Sequence, residues 1–448
     1  DGSLNTLSDR PGMDSQKTNS YGMKIFHSFD GFEFQSFTSS TDTDVIFSYD
    51  ADWGNADSHF PYVYDYFSET FRDRKSFNQE FRAVSDSANF LKDSFLEWVI
   101  GANYLELKET NLKKDDGLYG DPSDPYGPYA SASSSSSRYK SSNFSVFGNL
   151  DYLLSASLKF SIGLRWEDWE ADYSDSLNES LNPADKMSGG KVSLIKSMTN
   201  GTNMYASLAK GYKQGGFNLG LGLDANSTNQ NLAYDPEFLT NYELGINTKL
   251  LDSKINFNGV IFYSYREDQQ VLISTQTDPS DPNTFSFLTQ NAAEGVNHGL
   301  EINMDIDIRE SLSAFLNLGM LKTEIKNWQS RQDLEGRAQA HAPEKSYALG
   351  LNWAPTSDTY LAIDFTGKSS FYYSDSHNNK SKSYVLTNLN LGYVKNNWSY
   401  ELWARNVFDE YYSVRGFYFG NEAPNFIDTL YERHGDPRNI GFSIRYDF

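Results

Sequence analysis

Along most of this chain, apolar residues recur at every second position. Leu158, Phe160, Ile162, Leu164 and Trp166 alternate with Lys159, Ser161, Gly163, Arg165 and Glu167. Leu300, Ile302, Met304, Ile306 and Ile308 alternate with Glu301, Asn303, Asp305 and Asp307. Tyr242, Leu244 and Ile246 do so with Asn241, Glu243, Gly245 and Asn247. Leu96, Trp98, Ile100, Ala102 and Tyr104 follow the same rule, broken only by Val99. The final stretch, Arg438 to Phe448, places Ile440, Phe442, Ile444, Tyr446 and Phe448 on one side. A period of two is the period of a strand with two unlike faces. No long stretch carries a helical period.

Two kinds of connection take turns between these strands. Short ones fall at 29–31, 86–93, 152–156, 199–203, 251–253, 309–311, 355–358 and 395–397, most of them with hairpin-turn residues. Long ones fall at about 43–68, 108–137, 172–189, 213–238, 273–284, 326–343, 372–382 and 413–437. The serine-rich run from Ser131 to Ser137 reads as low-complexity, mobile loop. A sandwich has no reason to put every long loop at one end, whereas an outer-membrane barrel does. Only a closed barrel of strands satisfies all backbone groups within a bilayer. The expected fold class is therefore all-β: an antiparallel transmembrane β-barrel with short periplasmic turns and long extracellular loops. Trp98, Tyr104, Trp166, Tyr263, Tyr265 and Trp398, near strand ends, suit its interfacial aromatic girdles.

Eight short turns and eight long loops imply about 17 strands. The first, near Tyr21 to Ser28, and the last, Arg438 to Phe448, both run towards the short-turn end. A single-chain bacterial barrel has an even number of strands. The expectation is thus an odd number of earlier strands outside this chain, about five if the barrel is one of 22. The terminal strand would then close against one of those.

Composition sharpens this picture. In 448 residues, aromatics reach 15%, with 30 Tyr and 31 Phe. Mean hydropathy is nevertheless −0.60. Strands apolar on one face and polar on the other reconcile the two values. A net charge of −22 argues against a nucleic-acid partner. With no cysteine there is no thiol catalysis, Cys-ligated zinc or disulfide. No apolar run is long enough for a transmembrane helix.

Candidate chemistry is sparse. GLGLDA, Gly220 to Ala225, loosely matches a dinucleotide fingerprint but lies in a polar loop, and no cofactor is expected. No Walker loop, HExxH or GxSxG occurs. His27, His59, His298, His341, His377 and His434 show no metal-ligand spacing. The pairs Asp375–His377 and His434–Asp436 are material for a rim hydrolase, though nothing in the sequence orders them as base and orienter. Aromatic crowding in the loops points instead to binding a small-molecule ligand, by stacking and cation–π attraction. The candidates are Trp53, Phe60, Tyr62, Tyr64 and Tyr66; Phe371, Tyr372, Tyr373 and His377; and Arg415, Phe417 and Tyr418. Loop–loop packing is the alternative use of these rings. Arg165, Glu167, Glu243, Glu301, Asn303, Asp305 and Asp307 are expected to face the lumen.

Several segments resemble the C-terminal barrel region of TonB-dependent outer-membrane receptors. NSYGMKIFHSFDGFEF from Asn19 is similar to a strand–turn–strand hairpin of that family, and SFNQEFRAVSD from Ser76 to its "QE-R-SD" strand. YASLAKGYKQGGFN from Tyr205 resembles its "A-GYK-GGFN" segment, and NYELGINTKLLDSKINFNGVIFY from Asn241 its "YE-G-K" hairpin. GVNHGLEINM from Gly295, ARNVFDEYY from Ala404 and the closing aromatic Phe448 complete the likeness. It runs through nearly the whole of residues 1–448, read as one partial barrel domain. The resemblance implies an outer-membrane receptor of a Gram-negative bacterium. It would import a scarce nutrient, with an iron–siderophore foremost and haem, cobalamin or a glycan as alternatives. No catalytic residue is implied. It also implies outer-membrane lipid as surroundings, and a plug domain outside this chain that gates the lumen and couples to a TonB complex. Alternative readings are a passive porin, one chain of a two-chain barrel whose partner supplies plug and early strands, an outer-membrane hydrolase, and a soluble all-β protein.

Overall fold

A computed structural model describes residues 7–85, 96–218, 233–276, 285–328, 331–375, 377–422 and 424–448. The wall strands are β1 (Met13–Phe29), β2 (Phe32–Asp50), β3 (Val63–Ser85), β4 (Leu96–Gly120), β5 (Tyr129–Ser155) and β6 (Leu158–Asp175). They continue as β7 (Ala184–Ser197), β8 (Asn203–Lys213), β9 (Glu237–Leu250), β10 (Ile255–Gln276), β11 (Phe285–Arg309) and β12 (Leu312–Asn327). Next come β13 (Lys345–Thr356), β14 (Thr359–Lys368), β15 (Tyr384–Lys395) and β16 (Trp398–Arg405). The hairpin β17 (Ser413–Phe419) and β18 (Thr429–His434) precedes the final wall strand, β19 (Asn439–Tyr446). Each wall strand pairs antiparallel with its neighbour in an 18-stranded sheet, one member being the two-residue Ser180–Leu181. The long strands agree in number with the 17 expected from turn counting. Among the described residues β1 pairs only with β2 and β19 only with β16, so the sheet they form is open.

Register confirms the two faces. One cross-strand row reads Phe160, Leu194, Ala206, Leu244, Ile261, Leu300 and Met320, apolar on seven successive strands. An opposite-face row reads Gly163, Lys191, Ala209, Asn241, Ser264, Asn297 and Thr323. On the apolar face, Leu244 is 61% exposed and Leu164 65%, which is tenable only against lipid. The band is bounded by rings. From Phe160 to Trp166, and from Trp98 to Tyr104, six residues span about 20 Å of strand. Beyond Trp166 the same face turns polar with Asp168 and Glu170. At the short-turn end, Trp398 stacks on Tyr400 at 6.1 Å and meets Tyr446 at 4.7 Å, with Phe448 5.0 Å beyond.

The depth of the apolar band gives a direct prediction. Leu244→Arg is expected to cost about 2–4 kcal/mol of folding in lipid, the range for a charge near the bilayer midplane. Glu243→Arg, one residue along and on the other face, should cost far less. Urea titration of the chain folded into liposomes, followed by tryptophan fluorescence, separates the two, and equal costs would contradict the facial assignment.

Several expected loops are shorter than the sequence suggested, because the strands run on past the apolar band. Loop 43–68 contracts to 51–62, and 108–137 to 121–128. Ser131 to Ser137, expected to be mobile, is instead part of β5 and pairs residue by residue with Gly117 to Asn111 of β4. Small serines, most of them exposed and only Ser137 buried, need little packing there; the backbone ladder supplied by the long β4 holds them. The turn at 86–93, the loop core 277–284 and the GLGLDA segment lie outside the described residues.

Candidate functional site

The short turns gather at one end of the sheet and the long loops at the other. At the long-loop end the polar face carries two buried apolar clusters. Trp169, Ala171, Tyr173, Met187 and Phe217 form the first, and Val271, Ala293, Ile325, Trp328 and Leu334 the second. These clusters anchor the loop bases.

Hairpin β17–β18 is the hub of the aromatic residues. Trp53, at the start of loop 51–62, sits among Phe417, Phe419 and Tyr431 with ring centroids at 5.6, 5.3 and 5.0 Å. The side-chain amide of Asn421, just past β17, donates to the backbone carbonyl of Asp52. Tyr64 lies 4.8 Å from Tyr66 and 5.3 Å from Phe426. On the other flank, His377 packs edge-on against Tyr418 at 5.0 Å, and the Tyr418 hydroxyl donates to Asn379 Oδ1 at 3.2 Å. Tyr373 donates to Glu432 at 2.5 Å. Phe371 and Tyr373 are buried, at 7% and 3% exposure, and perpendicular to each other. Tyr372 is bracketed by cations, with Arg337 4.4 Å and Lys380 4.1 Å from its ring centre. Arg415 lies 5.9 Å from the ring centre of Phe417. Phe60 is exposed and Tyr62 half-buried.

Three separate sequence clusters thus meet at one end, as a packed assembly rather than as free rings. Tyr119, Phe426, Tyr431 and Arg337 belong to it and were not singled out in the sequence. Tyr431 is legible in hindsight, since it lies directly opposite Phe417 in the hairpin register. Arg337 carried no local signal.

Arg337 organises the neighbouring loops. Its guanidinium, 8% exposed, donates to Asp375 at 3.0 Å, to Asn378, and to the carbonyls of His377 and Ser374. Asp375 also accepts the Ala340 N–H at 3.0 Å. The Asp375 carboxylate is therefore committed to Arg337 rather than orienting His377. His434 is held on both ring nitrogens, by Tyr411 at 2.7 Å and Ser413 at 3.3 Å. Ser413 and His434 touch, but no carboxylate is hydrogen-bonded to that imidazole among the described residues. Burial pushes the pKa values of His341 and His377 down, and Arg415 beside the first and Arg337 beside the second add to this.

The seven polar-face candidates share one face by register, but their surroundings differ. Arg165 and Glu167 form a bonded pair at 2.7 Å. Glu167 also accepts from Tyr212 at 3.0 Å and from Asn143 at 2.6 Å. Glu243 accepts from Asn241 at 2.8 Å. Glu301, Asn303, Asp305 and Asp307 stand exposed on successive turns of the pleat.

This wall, with its apolar band and long-loop end, is the architecture of one protein class. The family model described as "TonB dependent receptor-like, beta-barrel" matches residues 2–407, and the chain belongs to that family. A curated relative, the probable TonB-dependent siderophore receptor PiuA of Acinetobacter baumannii, is 27% identical over 160 residues, 34% of this chain and 20% of that protein. The ferric yersiniabactin uptake receptor FyuA from Yersinia pestis superposes with a TM-score of 0.73 at 16% identity, over 97% of this chain and 61% of that one. The siderophore receptor PiuA superposes at 0.71 and 17% identity, over 100% of this chain and 68% of its own. The copper transporter OprC gives 0.70 at 14% identity, over 98% and 67%. At such identities the superpositions speak for the fold. These relatives are named as siderophore and uptake receptors and as a copper transporter.

Proposed function

We propose that this chain forms the wall and the ligand-capturing end of an outer-membrane receptor that takes up a ferric siderophore. The observation that carries this reading is the aromatic and cationic assembly around β17–β18, mounted at the long-loop end of a lipid-facing wall. Long loops of such a barrel face the exterior, where the ligand arrives. Phe60, Tyr62, Lys380 and Arg415 would contact it, with Trp53, Tyr64, Tyr66, Phe371, Tyr372, Tyr373, His377, Phe417 and Tyr418 holding the surface in shape. Flat, electron-rich, anionic chelates suit aromatic faces backed by cations. The siderophore receptors among the relatives support the same ligand class. In this reading Arg165, Glu167, Glu243, Glu301, Asn303, Asp305 and Asp307 line the lumen, where a plug supplied outside this chain would engage them. Import would draw on TonB through that plug, in the outer membrane of a Gram-negative cell.

The test is direct titration of the purified chain in micelles with ferric catecholate, hydroxamate and mixed-ligand siderophores. Saturable quenching of tryptophan fluorescence by one class, at micromolar concentration or below, is expected. No saturable binding, together with ion conductance in planar bilayers, would put a passive channel in its place.

A further inference from the structure

On the polar face of the wall, aromatic rings lie across glycines of the neighbouring strand. Phe147 of β5 lies across Gly101 of β4, Tyr205 of β8 across Gly245 of β9, and Phe262 of β10 across Gly299 of β11. Phe315 of β12 lies across Gly350 of β13, Tyr360 of β14 across Gly392 of β15, and Trp403 of β16 across Gly441 of β19. In each pair the ring and the glycine stand directly opposite in the ladder. A Cβ built at any of these six glycines would stand closer than 3.0 Å to a ring atom. Polar tips pin three of the rings. Tyr205 donates to Glu243 at 3.4 Å, two residues along from Gly245, and Trp403 Nε1 donates to Ser443 at 3.3 Å, two along from Gly441. The Tyr360 hydroxyl passes over Gly392 to reach Glu401, opposite it on the next strand, at 3.5 Å.

The six pairs share a second property. Each joins strands connected by a long loop: 121–128, 214–236, 277–284, 328–344, 369–383 or 406–438. Two long-loop pairs lack the contact. β2 and β3 contain no glycine, and on β6–β7 it is Leu164 that covers Gly190, on the apolar face. Of the eight pairs joined by short connections, two have such a contact among the described residues. Tyr347 covers Gly367 on the apolar face, and Tyr66 covers Gly117 at the end remote from the turn of β3–β4. A tight turn fixes the register of its own hairpin, and a long loop does not. The apolar pattern excludes a slip of one residue, which would turn every side chain to the wrong face, but a slip of two keeps both faces. The rings tell these registers apart. Slipped by two, Tyr205 would meet Glu243 or Asn247 instead of Gly245, Phe262 would meet Asn297 or Glu301, and Trp403 would meet Asn439 or Ser443. None of the other three rings would find a glycine either.

We propose that these six aromatic–glycine contacts set the register of the strand pairs whose loops are too long to set it. A glycine leaves room for a ring to cover the bare ladder, and the native register is the one that offers a glycine to all six rings. What this governs is the long-loop end. A slip of two residues displaces one base of a loop against the other by about 7 Å. On β16–β19 that loop carries the β17–β18 hub, so the Trp403–Gly441 contact sets where the hub stands. Gly245 and Gly299 belong to the NYELGINTK and GVNHGLEINM segments, and register gives those glycines a physical role. The device is independent of which ligand the loops capture.

The experiment reads register on β8–β9, where only Tyr205 stands within reach of a Cβ at Gly245. The chain has no cysteine, so introduced pairs report without background. The whole chain is refolded from urea into detergent micelles under oxidising conditions. Leu208→Cys with Tyr242→Cys reports the native register, and Leu208→Cys with Leu244→Cys or with Thr240→Cys reports a slip of two. In the parent background the native pair should close far more than the slipped pairs. Gly245→Ala should raise the slipped fraction about five-fold, the upper range of the bias one cross-strand contact supplies. Tyr205→Ala, which removes the ring and adds no clash, should do the same. Moving the ring to the opposite strand, Tyr205→Gly with Gly245→Tyr, should return the fraction towards the parent value. Gly211→Ala, on β8 with nothing near its Cβ, should leave it unchanged. Should Gly245→Ala fail to fold, as judged by heat-shifted gel migration, Tyr205→Ala and the exchanged pair decide. A slipped fraction in folded Gly245→Ala or Tyr205→Ala no higher than in Gly211→Ala would overturn the assignment, as would an exchanged pair that slips as much as the single variants.

Discussion

Replacing Trp53 with alanine is expected to detach loop 51–62 from the β17–β18 hairpin while leaving the wall intact. Trp53 meets three rings at once. Large-to-alanine changes at packed aromatic sites cost about 3–5 kcal/mol. Trp53 keeps part of its surface exposed, so about 3 kcal/mol is the appropriate expectation. Its backbone adds a second indication. Trp53 holds φ at +56°, a left-handed conformation rare for a bulky residue and maintained only where packing over-determines it. Hydrogen exchange should show faster amides in 51–62 and 413–434, with unchanged protection in β9–β12. Trp53→Phe should recover part of the protection. If the loop amides are as protected in Trp53→Ala as in the parent, the rings are bystanders and the tie from Asn421 to Asp52 holds the loop. If the chain captures a siderophore as proposed, affinity for it should fall together with loop protection, because this packing shapes the capturing surface.

The second large effect is expected at Arg337. Removing one partner of a buried ion pair costs about 3–5 kcal/mol, because the other charge stays buried without compensation. Arg337→Ala strands Asp375, 13% exposed, along with the carbonyls of Ser374 and His377. It also removes one of the two cations flanking Tyr372. Arg337→Lys should rescue little. A lysine offers a point charge, whereas four acceptors and a ring face are met here by a planar fork. Limited proteolysis should cut 331–343 and 369–383 at much lower protease concentrations in both variants. Adding Asp375→Asn to Arg337→Ala should restore some resistance, since the stranded charge is then gone. An Arg337→Ala chain as resistant as the parent would show that these loops are held by the buried Leu334 and Phe371 instead.

The wall was legible from the sequence because a transmembrane strand states its own environment. Each residue of such a strand meets lipid or water according to parity alone, so Leu300 to Ile308 and Phe160 to Trp166 declare their faces without knowledge of any partner. Strand number and most turn positions followed from the same local grammar, whereas the family was read from the likeness of particular motifs. Strand ends were less legible. Ser131 to Ser137 has loop composition, but a neighbour of sufficient length turned it into ladder.

The assembly at the long-loop end was half legible. Aromatic crowding marked Trp53, Phe371 to Tyr373, and Phe417 with Tyr418, because rings in polar loops stand out in composition. What each ring does there was not written locally. Trp53 could be read equally as a ligand contact or as packing, and only the fold, bringing residues more than 360 positions apart against one another, made it the centre of a ring box. Arg337 had no signature at all. An arginine or a histidine acquires its role from which carboxylates and carbonyls surround it and how much water is excluded. Those are properties of the closed tertiary arrangement. The alternation along the chain thus determined the wall and its two faces, since lipid reads each strand residue by residue. The tertiary structure alone decided which loop residues are exposed, which are committed to one another, and where charge lies buried, because these depend on distances between segments that local pattern does not encode.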